Sequence, residues 1–248
     1  MAAEVLFVPK WSISPAGCRL IPAVRTALDE LRSRFDVQIF QWPTVVGGPQ
    51  PPGETWGDAV SVLAECFAEG QHIVAMAPSP VALCMMALDG RDDPASFVAP
   101  GIVYPTATMR SFGVDTLADA IEAQGRFSSN FPWVRESMDG AHEDEQHSFS
   151  EQLDADIDWR AESKLVESFR TIDLSKQTPD ISVPVLYLDL PYFEYQEYPV
   201  RASFLGLVPQ AECGRLTTWP LRMHLDEPGH EFAATVTGFI DRVEAGTL

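Results

Sequence analysis

Short apolar runs, separated by segments of helical apolar spacing, constrain this chain of 248 residues more than any other feature. Val5 to Val8, closed by Pro9, and Val37 to Phe40, closed by Trp42-Pro43, have strand length, and between them Ile21, Val24, Leu28 and Leu31 recur at helical spacing. A loop rich in Gly and Pro follows from Gly47 to Gly53, and then Trp56, Val60, Leu63 and Phe67 mark a second amphipathic helix ahead of an apolar strand from His72 to Met76. A strand that is apolar throughout is buried on both faces, and strands that alternate with helices pair in parallel. The pattern predicts an α/β domain with a mostly parallel central sheet flanked by helices.

The same alternation resumes late in the chain. Phe97 to Tyr104 reads as a strand interrupted by Pro100 and Gly101, Val183 to Leu188 as another, and Arg215 to Trp219 as the last; Phe232, Val236, Phe239, Ile240 and Val243 then form an amphipathic closing helix. From about Arg110 to Thr178 the strand signal disappears. That interval is mostly helical and irregular, anchored by Leu117, Ile121, Leu165, Val166 and Phe169, and no Lys or Arg breaks its acids from Asp139 to Asp158. It divides the chain into a core of residues 1–109 and 179–248 and an inserted cap of residues 110–178.

The formal charge of −19 and pI near 4.5 argue against nucleic acid or an anionic membrane as partner, because both require Lys and Arg to neutralise phosphates. Such a surface serves solubility. The start of the chain, MAAEVLFVPK, lacks the basic start, long apolar middle and cleavage site of an export signal, and no window reaches about 18 uninterrupted apolar residues, so a cytoplasmic location and no spanning helix are expected. Cys18, Cys66, Cys84 and Cys213 show no close pairing and read as reduced, buried thiols. His142-Glu143-Asp144-Glu145-Gln146-His147 has neither the spacing nor a neighbouring strand that would fix metal ligands; it reads as a hydrated acidic loop, with no metal expected.

The chemistry-bearing stretch is His72 to Ala87, where an apolar strand runs into Ala77-Pro78-Ser79-Pro80-Val81 and then into a helix-like segment. A tight strand-to-helix turn that presents a serine needs small neighbours two positions to either side, and Ala77 and Val81 occupy those places. Ser79 is either such a nucleophile or a helix cap with Pro80 in the first helical position. Pro80 bears on both readings, because the residue after a nucleophilic serine donates its backbone N–H to the oxyanion, and proline has none.

Taken together, these pieces resemble the α/β-hydrolase superfamily over nearly the whole chain. The Val183 to Leu188 strand looks like that family's penultimate strand, and Trp219-Pro220, His224, Glu227-Pro228 and the Phe232 helix look like its last strand, histidine loop and closing helix. The resemblance implies Ser79 as nucleophile, His224 as general base, and Glu194, with Asp189 as second choice, as the acid that holds the imidazole. The chain also departs from the family pattern. Pro9-Lys10 stands where the family has His-Gly, which leaves the Trp11 N–H as oxyanion donor; Pro80 removes the second donor, and Met223 replaces the usual glycine before the histidine. Loss of one such donor costs about 3–4 kcal/mol of transition-state stabilisation. Proline also restricts the residue before it, whereas the family's elbow serine has positive φ.

Other readings of these residues stay open on the sequence alone. His224 is a base or a capping or surface histidine, and His230 a solvated helix residue. Lys10 is either an exposed lysine or a point charge for a carboxylate or oxyanion at the sheet edge. Tyr192, with Phe193, Tyr195 and Tyr198, forms a ligand wall or a packed loop. A nucleotide-binding doubly wound fold is disfavoured because the turn Pro9-Lys10-Trp11-Ser12-Ile13 holds no glycine-rich phosphate cradle, and no cofactor is expected. Three functions follow: hydrolysis of an ester or thioester of a small, largely apolar acyl compound; lyase or cyclase chemistry run by His224; or a binding protein that kept the fold and lost the chemistry. The expected partner is a small molecule, and the oligomeric state stays open, a homodimer included.

Overall fold

The computed structural model describes residues 2–10, 13–46, 55–101, 134, 138, 141–168, 179–190, 200–219 and 222–248. Six strands, β1 (Glu4–Val8), β2 (Asp36–Ile39), β3 (His72–Ala75), β4 (Ser96–Pro100), β5 (Val185–Asp189) and β6 (Glu212–Arg215), form one sheet in the order β2-β1-β3-β4-β5-β6. Every adjacent pair is parallel. The helices described are α1 (Pro15–Leu20), α2 (Pro22–Arg32), α3 (Trp56–Glu65), α4 (Pro78–Ala87), α5 (Glu143–Asp154), α6 (Trp159–Ser168), α7 (Val200–Leu207) and α8 (Glu227–Glu244).

Side-chain alternation along the strands builds two cores. Leu6, Val8, Ile73, Ala75, Phe97, Ala99, Val185 and Tyr187 pack with Leu63 of α3, Leu83 of α4, Leu165 of α6 and Phe204 of α7. Val5, Phe7, Val74, Met76, Val98, Leu186 and Leu188 pack on the other face with Cys18 of α1, Leu28 of α2, Leu153 of α5 and Phe232 of α8. Both faces are covered, which is why these strands carry no polar alternation.

Local chemistry sets the helix starts. Thr55 and Asp58 form a reciprocal capping box on α3, and the Ser14 hydroxyl accepts from the Gly17 N–H at 2.9 Å ahead of α1, whose first residue is proline. The sharpest steric demand lies between α2 and α8: a Cβ on Gly229 would sit 2.2 Å from the Ala23 carbonyl oxygen, so only glycine permits this approach.

Four expectations change. The last strand is Glu212–Arg215, not Arg215 to Trp219: β5 ends at Asp189, opposite Arg215, and beyond that register β6 has nothing to pair with. As a half-exposed edge strand of sequence ECGR it has no apolar run to reveal it. The strand expected over Phe97 to Tyr104 is Ser96–Pro100, followed by Gly101 at φ 65, and residues 102–104 lie outside the described set. The sequence His142 to His147 is not a loop but the start of α5, where Glu143, Asp144 and Glu145 occupy the first turn, the end of a helix that favours negative charge. Of the four free cysteines, Cys18 and Cys84 are buried, Cys213 is half-buried and Cys66 is exposed.

Among the described residues no helix is long and apolar enough to cross a membrane, and no group of three or more His, Cys, Asp or Glu side chains is placed to hold a metal ion.

Candidate active site

Strand order locates the site before any side chain does. From β1 the chain moves outward to β2 and then returns to β3 on the other side of β1, so the connections diverge between β1 and β3. In parallel sheets ligands bind beyond the carboxyl ends of the strands at such a divergence. Val8 pairs with Ala75 there. Lys10 follows Val8 by two residues, and Ser79 follows Ala75 by four, so both flank the divergence.

Ser79 is described through its backbone, which is helical: α4 starts at Pro78 with Ala77 as N-cap, and Ser79 is its second residue. It is therefore not the N-cap. Nor is it the positive-φ elbow; among the described non-glycine residues, positive φ belongs to Arg222, at 55°. Prolines at 78 and 80 remove two of the four N–H groups that a helix start leaves unpaired, so Ala77 and Ser79 retain the remaining two.

Lys10 is buried, with 7% of its surface exposed. Its backbone is fixed on both sides: the Pro9 carbonyl accepts from Trp42 Nε1 at 2.8 Å, and the Lys10 carbonyl from the Ile13 N–H at 2.9 Å. Burial pulls the ammonium pKa down to about 8, while Glu162 of α6 and Asp154 of α5 support the charge. Glu162 is itself 1% exposed. The sequence reading missed it, although a signal exists: an acid three residues before Leu165 falls on the apolar stripe of α6. The reading of Lys10 as an exposed lysine is corrected.

The α5–α6 segment is pinned to the core around Lys10. Val46 N–H donates to the Asp156 carbonyl at 2.8 Å, Asp158 N–H to the Thr44 carbonyl at 2.7 Å, the Ser14 hydroxyl to Asp156 Oδ2 at 3.1 Å, and Trp56 N–H to Ser168 Oγ at 2.7 Å.

His224 reaches the same edge by a different route. It follows β6, which is separated from β3 by two strands, yet the segment after β6 is bonded back to the end of β3. Trp219 Nε1 donates to the Met76 carbonyl at 2.9 Å, and the Met223 carbonyl accepts from the Ala23 N–H at 3.1 Å. These bonds tie the residues before His224 to the end of β3 and the start of α2. His224 is half-buried, and its Nδ1 is buried with no hydrogen-bond partner among the described residues. In a serine–histidine–acid relay that atom donates to the acid. The Asp189 backbone carbonyl accepts from Leu216 N–H of this segment at 2.9 Å, and its carboxylate is not hydrogen-bonded to Nδ1. Glu194, Tyr192 and Trp11 lie outside the described residues. Pro80 is buried in the first turn of α4. His230 is an exposed residue of α8, hydrogen-bonded to Glu30.

A second serine–histidine–acid set, not singled out in the sequence, lies at the opposite end of the sheet. His72 Nδ1 is 2.8 Å from Ser96 Oγ, and its Nε2 is 3.1 Å from Glu244 Oε1. Both His72 and Ser96 are fully buried, so a substrate has no path to the hydroxyl; the set ties α8 to β3 and β4. A depression of about 820 Å³ lined by Glu69, Asp92, Ala95, Ser182 and Pro184 also lies at this amino edge. A parallel sheet does not place its chemistry at that edge.

No protein-family model matches the chain, and no curated protein matches it in sequence. Solved structures do match in shape. A hydrolase from Oleispira antarctica superposes with a TM-score of 0.75 at 12% identity, covering 97% of this chain and 92% of its own. A thermophilic esterase from Thermogutta terrifontis gives 0.75 at 12% identity over 98% and 91%, and a bromoperoxidase from Bacillus anthracis 0.72 at 13% over 97% and 92%. At such identities the likeness establishes the fold: this chain has the α/β-hydrolase fold.

Proposed function

We propose that the protein is an enzyme acting on a small, largely apolar acyl or carbonyl compound bound at the carboxyl edge of the sheet, under the α5–α6 segment as cap. Ser79 attacks or orients the carbonyl, His224 moves the proton, and Glu194, with Asp189 as second choice, is the acid that holds the imidazole. The observation that carries the reading is the Trp219–Met76 hydrogen bond, which draws the histidine segment over two strands to the strand end that leads into Ser79. The solved proteins of this fold include one described as a hydrolase and one as an esterase, which supports the same class.

For acyl transfer a serine hydroxyl needs a base within hydrogen-bond reach, because proton removal must accompany attack. The Trp11 N–H supports the developing oxyanion. The Lys10 charge is shared with Glu162 and Asp154, so it steadies the edge electrostatically and is only partly available to a substrate anion.

Acid–base chemistry by His224 without an acyl-enzyme is the second reading. The helical backbone of Ser79 and the missing Pro80 N–H favour it, since both weaken covalent attack and leave the imidazole intact. Turnover of p-nitrophenyl acetate and butyrate by the wild type, Ser79→Ala and His224→Ala tests the proposal. Loss in both variants supports acyl transfer, and loss in His224→Ala alone supports the second reading. No turnover by the wild type, with tight binding of an apolar ligand, leaves a binding protein on this fold.

A further inference from the structure

We propose that Glu231 is the positioning residue for His224, holding the segment that carries the imidazole through a four-donor clamp on one carboxylate. The inference rests on the site reading above, in which His224 is the proton carrier. Glu231 Oε1 accepts from Thr217 N–H at 2.7 Å and Thr217 Oγ1 at 2.6 Å; Oε2 accepts from Thr218 N–H at 2.9 Å and Thr218 Oγ1 at 2.6 Å. One side chain thus satisfies two consecutive backbone donors and two hydroxyls at the point where the chain leaves β6.

The next residue on each side extends the clamp. Phe232, which follows Glu231 on α8, stacks on Trp219, which follows Thr218, with ring centroids 4.3 Å apart. The Trp219 indole then reaches Met76. From there the segment is tightly bent: Arg222 has φ 55, a left-handed conformation that non-glycine residues rarely hold, and Leu225 N–H closes a turn on the Arg222 carbonyl at 2.8 Å with His224 inside it. Such a conformation persists only when its surroundings over-determine it. The far end is fixed at Asp226, whose Oδ1 accepts from Thr26 Oγ1 at 2.7 Å. Glu231 is the anchor of the near end.

Burial opposes the charge of Glu231, and the hydrogen bonds from Thr217 and Thr218 outweigh it, leaving the carboxyl below its ordinary pKa and ionised at neutral pH. A charged acceptor binds four donors more strongly than a neutral amide does. Glu231→Gln keeps the shape and loses the charge, with an N–H₂ facing donors. Thr217→Val combined with Thr218→Val keeps the carboxylate and removes both hydroxyls.

The experiment is NMR of the full chain labelled with ¹⁵N-histidine, with the His224 signals assigned by their loss in His224→Gln, alongside p-nitrophenyl acetate kinetics. In both variants the His224 nitrogen shifts move while the His142 and His147 signals stay in place, and kcat falls about a hundredfold with KM within about twofold, the scale of a displacement near 1 Å. Unmoved His224 signals in both variants overturn the proposal, whatever the ester rates. A wild type with no ester turnover counts against the hydrolase reading alone, and the histidine spectrum still decides the role of Glu231. If Glu231→Gln is unfolded at the temperature of measurement, the double valine variant gives the same decision.

Discussion

The Trp219 indole N–H donates to the Met76 backbone carbonyl across 2.9 Å, joining the segment beyond β6 to the end of β3. Trp219 is fully buried, so Trp219→Phe keeps most of the packing and strands the carbonyl without its donor. An orphaned buried acceptor costs about 1–3 kcal/mol. The variant is expected to lose that much in urea denaturation, and to lose more ester turnover than its stability accounts for, because His224 moves with the segment.

Lys10 and Glu162 are buried charges of opposite sign on opposite sides of the joint between the core and α6. Removing one partner of such a pair costs about 3–5 kcal/mol, whereas replacing both with apolar residues is often neutral. Lys10→Met and Glu162→Leu are each expected to be strongly destabilising alone and to be much less so together, with a coupling above about 1 kcal/mol in a double-mutant cycle. The Lys10 pKa of about 8 lies below its ordinary 10.5, so between those pH values the unfolded chain binds more protons than the native one, and this group makes stability rise with pH from 8 to 10.5. Lys10→Met removes that part of the slope.

His72 gives a second pH signature. Burial holds its imidazole below 6.5, against the pull of Glu244, so in mildly acidic solution the unfolded state is protonated while the native state is not. Its contribution to stability is complete above pH 6.5 and is lost as the pH falls below that value toward the native pKa. The urea midpoint of the wild type should fall more steeply between pH 6.5 and 5 than that of His72→Gln. Parallel curves would assign the acid sensitivity to other groups.

Gly229 is expected to tolerate no side chain. Its added Cβ would meet the Ala23 backbone oxygen at 2.2 Å and Thr26 Cβ at 2.9 Å, and neither is a flexible side-chain end that can rotate away. Gly229→Ala must part α2 from α8, an overpacking cost of about 1–3 kcal/mol or more. Thermal unfolding measures it. Gly238→Ala, where the nearest atom is 3.8 Å away, is the control and should not lower the midpoint.

The sheet was legible because burial on both faces writes strands as plain apolar runs: Val5–Val8 and Ile73–Ala75 declare themselves. The edge strand Glu212–Arg215 did not, since only one neighbour pairs with it and its side chains are half-exposed. Ser79 and His224 are proposed from their places in the order of elements, and hydrogen bonds tie the segment before His224 to the strand end that leads into Ser79. What holds His224 there was not legible. Glu231 lies 13 residues or more from its donors Thr217 and Thr218, and the Trp219–Met76 bond spans 143 residues. No local period records such contacts. Glu162 could have been noticed as an acid on an apolar stripe, but Lys10, whose charge it supports, lies 152 residues earlier in the chain.

The central claim is that Ser79 and His224 act as one unit at the carboxyl edge of β3. Treatment with a fluorophosphonate, followed by intact-mass measurement and peptide mapping, tests it most directly. The account predicts one adduct, located on the peptide that contains Ser79, absent from Ser79→Ala and strongly slowed in His224→Ala. An adduct that persists in Ser79→Ala, or labelling of Ser79 at an unchanged rate in His224→Ala, would contradict it.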